Sequence, residues 1–329
     1  MQILVTGAGG FLAGAIARML RERGDAVVSL SRQHYPALDA LGIRQVRGDL
    51  AEPAAVLAAA QDCDAVVHVA AKAGAWGSFA EYYQPNVLGT RNVLEACKRL
   101  GIRKMVYTST PSVAHGGGDL EGVDESVPYP TKFHAHYPAT KAEAEKRVLA
   151  ANSSTLATVA LRPHLIWGPG DNNLMPRLIQ RAKSGRLAIV GTPKRIDTTY
   201  VDNAAEAHVM ALDALAPGSA CAGKPYFISN GEPLKMDEIL NRLLACADLP
   251  PITKRVPLPV AWVAGALMEA VWTVLRLQSE PPMTRFIASQ FATAHWYRID
   301  AAKRDFGWTP RIPIAEGLLR LRAALAAAS

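Results

Sequence analysis

The chain has 329 residues, half of them apolar, and a formal charge of +7. That length and apolar share suffice for a sizeable buried core and mark the chain as globular. Its basic residues are dispersed, with no Lys/Arg-rich run and no aromatic stripe among them, which argues against nucleic acid as a partner and for small anionic ligands. Cys63, Cys97, Cys221 and Cys246 lie far apart, without Cys-x-x-Cys or metal-ligand spacing, so buried thiols in a reducing cytoplasm are expected and a metal site is not.

A strand opens the chain in MQILVTG, leaving no room for a charged leader and an apolar signal core, so export is not expected. Thr6-Gly7-Ala8-Gly9-Gly10-Phe11-Leu12-Ala13 follows and leads into the helical pattern FLAGAIARMLRERG. Glycines there permit a tight turn and close backbone approach, and the helix amino end offers unpaired N–H groups and a favourable dipole. Gly7, Gly9, Gly10, Phe11 and Leu12 are therefore candidate pyrophosphate contacts. The next strand, AVVSLSR, ends in Leu30-Ser31-Arg32. A carboxylate in this place would bind the ribose hydroxyls of NAD; Ser31 cannot repel a 2′-phosphate and Arg32 can pair with one, so NADP(H) is the expected cofactor. IRQVRGDL then sets Asp49 where it can accept from an adenine amino group, and DAVVHVAA ends in Ala70-Ala71, small enough for a cofactor to lie against the backbone.

NVLGTRNVLEACKRLG, KMVYTST, a helix from Tyr137 to about Asn152, and LATVALRP continue the alternation. Strands separated by helix-length segments imply parallel neighbours with right-handed crossovers, a Rossmann-type doubly wound α/β fold. After Gly168 the pattern loosens, so the expected organisation is a cofactor-binding domain over 1–167 and a mainly substrate-binding region over 168–329, part of it returning to the sheet. From Pro257 to Leu275 the chain is apolar for about the length of a membrane span, but Glu269 interrupts it and Pro257 and Pro259 shorten it. A buried helix, or a wall beside an apolar ligand, is the expectation there.

Within HAHYPATKAEAEKRV, Tyr137 and Lys141 stand four apart, and of nine tyrosines only Tyr137 has a lysine at that offset. On a helix the two share one face, about 6 Å apart along the axis. A free phenol titrates near about pH 10, and a neighbouring ammonium favours phenolate, so the pair can exchange a proton at neutral pH. Pro138 is tolerated in the first helical turn, and Glu143 and Glu145 read as a solvated helix face.

Taken together, the TGxxGxx loop, Asn86-Val87-Leu88-Gly89-Thr90, Val106-Tyr107-Thr108-Ser109-Thr110, the Tyr137 to Lys141 pair and Arg162-Pro163 resemble the extended short-chain dehydrogenase/reductases over nearly the whole chain. KAGAWGS, YTSTPSVAH, LRPHLIWGPGD, DTTYVDNAAEAH, YFISNGEP and PPMTRF narrow the likeness to the 3β-hydroxysteroid dehydrogenase branch, and within it to bacterial reductases of 2-alkyl-3-oxo acids in long-chain olefin synthesis. The resemblance implies hydride delivery to the C3 ketone of a β-keto acid, with Tyr137 supplying the proton, Thr110 binding the oxygen and Lys141 orienting the ribose. It also implies cofactor contacts at Leu50, Asn86, Thr108 and Pro163, beside those named above. A threonine where serine is commoner leaves Ser109, Thr110 and Ser112 as alternatives for the oxygen contact, and Ala13 departs from the family's third glycine. Arg195 and Tyr200 are candidate contacts for the carboxylate of an apolar substrate. A homodimer is implied, with peripheral membrane or pathway-enzyme contact open.

Nucleotide-sugar epimerases share the fold and the dyad, but the C-terminal region here, with Trp262 and Trp272, is apolar rather than suited to a sugar diphosphate. A non-catalytic cofactor-binding regulator would show a broken dyad. His115-Gly116-Gly117-Gly118 is similar to a lipase oxyanion turn, yet no Gly-x-Ser-x-Gly occurs.

Overall fold

Short β-branched runs, apolar on both faces, are what a parallel sheet covered on both sides requires. In the computed structural model, which describes residues 1–277 and 279–327, they form one seven-stranded sheet. Numbering its strands in chain order, β1 is Gln2–Thr6, β2 Ala26–Ser31, β3 Arg44–Arg47, β4 Ala65–His68, β5 Lys104–Thr108, β6 Ala157–Pro163 and β7 Pro225–Ile228. All pairings are parallel, in the order β7-β6-β5-β4-β1-β2-β3. Strand order reverses at β1, between β2 and β4, which opens a crevice beyond their carboxyl ends.

Period-two alternation divides the core. Ile3 and Val5 of β1 face a cluster with Ile16 and Leu20 of helix Phe11–Glu22 and with Ala204 and Leu212 of helix Val201–Ala214. Leu4, between them, faces the opposite cluster with Val56, Val93 and Val148, from helices Pro53–Ala60, Gly89–Leu100 and His136–Ala150. Strand β7 comes from the second half of the chain and pairs in parallel with β6. Leu120–Val123, Arg195–Ile196, Leu234–Lys235 and His295–Tyr297 make a separate four-stranded sheet.

Two sequence expectations are overturned. Glu145 is not on a solvated face: it has no exposure, and Arg162 of β6 donates to its two oxygens at 2.6 and 3.0 Å while the Tyr129 hydroxyl donates at 2.5 Å. Of the two readings of helix Leu258–Val274, the buried one is corrected: only Ala261 and Gly265 are fully covered, Leu258, Met268 and Trp272 are half-buried, and Val260, Val263, Leu267, Val271 and Val274 point outward. Gly265 crosses so close to the next helix that a Cβ there would lie 2.8 Å from the Thr284–Arg285 backbone. The small residues thus make the contact and the large ones are left outside it.

Removing one member of a buried ion pair leaves an uncompensated charge. Glu145→Ala should lower the unfolding free energy by about 3–5 kcal/mol in urea titration; a loss below about 1 kcal/mol would place the pair among exposed bridges.

Candidate active site

The loop after β1 is shaped for an anion. Gly7 has φ of 74° and passes so near β4 that a Cβ would meet the Ala70 Cβ at 2.9 Å, so only glycine lets the two strand ends approach. Thr6 fixes that approach, its hydroxyl accepting from the Val69 and Ala70 N–H groups at 3.0 and 3.1 Å. Helix Phe11–Glu22 then begins at Gly10 with no side-chain cap and no carboxylate in its first turn. Its leading N–H groups lack side-chain partners, which fits a phosphate and disfavours a neutral ligand. A cavity of about 370 Å³ adjoins them, lined by Gly9, Gly10 and Phe11 together with Tyr200, Asp202 and the two arginines that pair with it, Arg18 at 3.0 Å and Arg320 at 3.7 Å. Leu12 is buried beneath the loop.

At the adjacent strand ends, Ser31 lies opposite Arg47 in the β2–β3 register, and the Arg47 guanidinium donates to the Arg32 carbonyl at 3.2 Å. Arg32 is exposed. The Tyr35 ring lies directly over Gly9, where a Cβ would meet it at 2.2 Å, and its backbone is clamped by the Gln45 side chain at 2.9 and 3.0 Å. Asp49 follows β3 and accepts from the Ala51 N–H at 2.8 Å; Leu50 is buried, Ala70 half-buried and Ala71 exposed.

The second group gathers beyond β5. Helix His136–Ala150 carries Tyr137, Lys141 and Glu145 at steps of four, hence on one face. Lys141 is buried; its ammonium donates to the Thr108 carbonyl at 2.6 Å and stands 4.2 Å above the Tyr107 ring. Burial brings its pKa down to about 7, with the Glu145 carboxylate opposing the fall. Burial likewise holds the Tyr137 phenol above its ordinary value, opposed by a hydrogen bond with the Thr110 side chain. Thr110 donates to the Ser112 hydroxyl at 3.2 Å, so its oxygen links Tyr137 and Ser112. Ser109 alternates to the other side of the strand, where its hydroxyl is buried without a partner. Thr108 turns its side chain to His208 at 2.8 Å and leaves its carbonyl for Lys141. Pro163 ends β6 and is buried.

Asn86 sits in a π-helical turn, Gln84–Leu88, and is buried. Its amide exchanges hydrogen bonds with the Lys72 backbone at 2.8 and 3.0 Å and donates to Thr140 at 3.1 Å, so it ties the 72–78 loop to the Tyr137 helix. Phe79, exposed, packs edge-on against His136 at 5.6 Å and forms an apolar lip next to Tyr137. The two carboxylate candidates lie elsewhere. Arg195 is exposed on the small sheet opposite Lys235, and Tyr200 is buried on Trp167, facing the cavity beside Gly9 and Gly10.

Sequence reasoning missed Tyr35, Arg47, Glu145 and His115. His115 bonds Thr293 and Gln290, both at 3.1 Å, and so fastens the hydroxyl-bearing turn to helix Arg285–Ala292. Only the spacing of Glu145 from Lys141 carried a local signal. Among the described residues, no group of three or more His, Cys, Asp or Glu is placed to hold a metal ion.

Residues 4–260 match the 3-beta hydroxysteroid dehydrogenase/isomerase family. The chain is 56% identical to a 2-alkyl-3-oxoalkanoate reductase of Stenotrophomonas maltophilia, over 99% of this chain and 100% of that one. It is 50% identical to a protein of the same name from Shewanella oneidensis, over 98% of this chain and 85% of that one. Among solved structures it is similar to MoeE5 in complex with UDP-glucose and NAD, with a TM-score of 0.77 and 25% identity over 100% of this chain and 99% of that one.

A buried lysine with a depressed pKa makes the folded chain bind fewer protons than the unfolded chain between its folded and ordinary values. Its contribution to stability therefore rises as pH climbs from about 7 and levels off near the ordinary lysine value. The melting temperature of the ligand-free protein should show this rise, and Lys141→Met should remove it. Parallel pH curves for the two proteins would contradict a near-neutral Lys141.

Proposed function

This chain belongs to the 3-beta hydroxysteroid dehydrogenase/isomerase family, and we propose that it is a nicotinamide-dependent reductase converting the 3-keto group of a 2-alkyl-3-oxoalkanoate to a hydroxyl. The observation that carries this reading is the meeting of Tyr137, Thr110 and a buried Lys141 at the carboxyl edge of a sheet whose first loop is glycine-lined and uncapped. Full-length similarity to the two reductases named above supports the substrate class.

When bound, a reduced nicotinamide supplies hydride to the ketone carbon. The backbone N–H groups around Gly10, Phe11 and Leu12 would hold its pyrophosphate, Ala70 and Ala71 would lie against it, and Asp49 would accept from adenine. Leu50, Asn86, Thr108 and Pro163 complete the proposed cofactor side. Lys141 would hold the nicotinamide ribose. Tyr137 donates its phenolic proton to the ketone oxygen as negative charge develops there, and the Thr110 hydroxyl steadies that oxygen. Thr110 is favoured over Ser109 because it already reaches Tyr137, whereas the Ser109 hydroxyl is turned away.

NADP(H) is favoured over NAD(H) by the strand ends. Ser31 brings no carboxylate, Arg32 is exposed, and the exposed Arg47 donates to the Arg32 carbonyl, so two arginines of the kind that bind a phosphate monoester stand at these strand ends. The 168–329 region, with Phe79 at its rim, would receive the alkyl chains.

The purified protein should oxidise NADPH when given a 2-alkyl-3-keto acid and give a product two hydrogens heavier; activity confined to UDP-sugars would overturn the substrate class. Tyr137→Phe should still bind NADPH and lose about 10²–10⁴-fold in turnover, and near-normal turnover would remove it from the mechanism. Arg32→Ala should weaken NADPH about tenfold and leave NADH unchanged; an unaltered preference would refute the cofactor assignment.

A further inference from the structure

Eleven large apolar side chains stand exposed among the described residues, and eight of them lie between Val260 and Leu277. We propose that helix Leu258–Val274 is a membrane-surface element that seats this enzyme on an anionic lipid bilayer, lying in the interface and not crossing it. The helix has its covering reversed. Ala261 and Gly265 face helix Arg285–Ala292, while Val260, Val263, Leu267, Val271 and Val274 point away from the protein, Leu267 at 64% and Val274 at 78% exposure. Steps of three and four residues align those five in one stripe about 80° wide and about 21 Å long. A soluble surface does not ordinarily leave such a continuous apolar patch uncovered.

Charge says what covers it. The helix has one carboxylate, Glu269, and it is turned inward, accepting from the Arg285 backbone and side chain at 2.7 Å. The outward stripe therefore carries no negative charge. Exposed cations flank it instead: Lys254 and Arg255 precede the helix, Arg255 also reaching Asp237 at 3.4 Å, and Arg276 and Arg285 follow it. The Arg285 guanidinium lies 5.6 Å from the Trp262 ring, an aromatic and a cation together at the stripe's margin. An apolar face with basic residues at both ends and tryptophan beside it matches the boundary between acyl chains and anionic headgroups. A second helix is the poorer fit. Ala264, Ala266, Ala270 and Thr273, which border the stripe, carry no charges to set register or partner choice. At 17 residues the helix is shorter than a span needs, and no helix among the described residues is long and apolar enough to cross a membrane.

The surface also adjoins the cleft. Gln290, on the helix that Gly265 crosses, bonds His115, three residues beyond Ser112, and Glu280, just past the apolar stretch, pairs with Arg177 at 2.8 Å and approaches Gly74 of the 72–78 loop. A bilayer under this helix lies next to the site's entrance.

The full chain should co-sediment with phosphatidylcholine vesicles containing phosphatidylglycerol, more weakly with phosphatidylcholine alone, and less as salt rises. Val263→Asp/Leu267→Asp should cut that binding about tenfold or more while melting temperature and NADPH affinity stay as in the parent. Brominated phosphatidylglycerol should quench tryptophan fluorescence, and Trp262→Phe should lose most of the quenching. No sedimentation of the parent with either vesicle, binding unchanged in the double variant, or a parent dimer that the double variant splits into monomers would each overturn the proposal, the last by making the stripe a contact between copies. None of these readouts depends on the keto-acid reading, so the two can fail separately.

Discussion

A carboxylate with no access to water governs the geometry of the cleft. Glu145 lies one turn beyond Lys141 and two beyond Tyr137 on the same helix face, and Arg162 of β6 takes both its oxygens. An ion moved out of water costs several kcal/mol unless its partners stay within hydrogen-bond distance. The helix therefore cannot roll or slide along β6 without orphaning a buried charge, and Tyr137 inherits its direction from that restriction. Lys141 is held in the same way, between the Thr108 carbonyl and the Tyr107 ring. The proposed proton donor is thus oriented by charges that have nowhere else to go, before any ligand arrives.

The anion-binding side rests on the opposite principle, groups left unsatisfied. No side chain caps the first helix, and no carboxylate stands at the end of β2, so the leading N–H groups and the exposed Arg32 and Arg47 have no acidic side chain beside them in the strand-end turn, whereas Arg18 of the neighbouring cavity pairs with Asp202. An anionic dinucleotide would complete both. It would also act on Lys141, whose neutral form burial favours, since a nearby negative charge draws that equilibrium back towards ammonium. Cofactor binding and lysine protonation are then linked, each favouring the other.

How much was legible in the sequence follows from the range of each signal. The glycine turn, the alternating strands and the tyrosine–lysine spacing are local patterns, and each appears in the structure as read. Glu145 was misread because the polar pattern around it is that of a solvated helix, and its partner lies 17 residues away on another element. The helix Leu258–Val274 failed for a different reason: composition says which residues avoid water, not what shields them from it. Tyr200 shows the same limit. A buried tyrosine after a loosely patterned segment can face any cavity, and this one faces the loop of Gly9 and Gly10.

That misread helix bears on how an apolar substrate is reached. A 2-alkyl-3-oxo acid with long chains would partition into lipid at roughly 0.8 kcal/mol for each buried methylene, leaving little of it free in water to diffuse into a cleft. An enzyme surrounded by solvent would wait on that trace. One whose exposed valines and leucines enter the same lipid, with Phe79 at the rim of Tyr137's pocket, meets the substrate where it is concentrated. On the proposed lipid surface, the outward-facing helix, destabilising as an isolated surface, would become favourable, since the substrate's own solvent would then be part of the enzyme's environment.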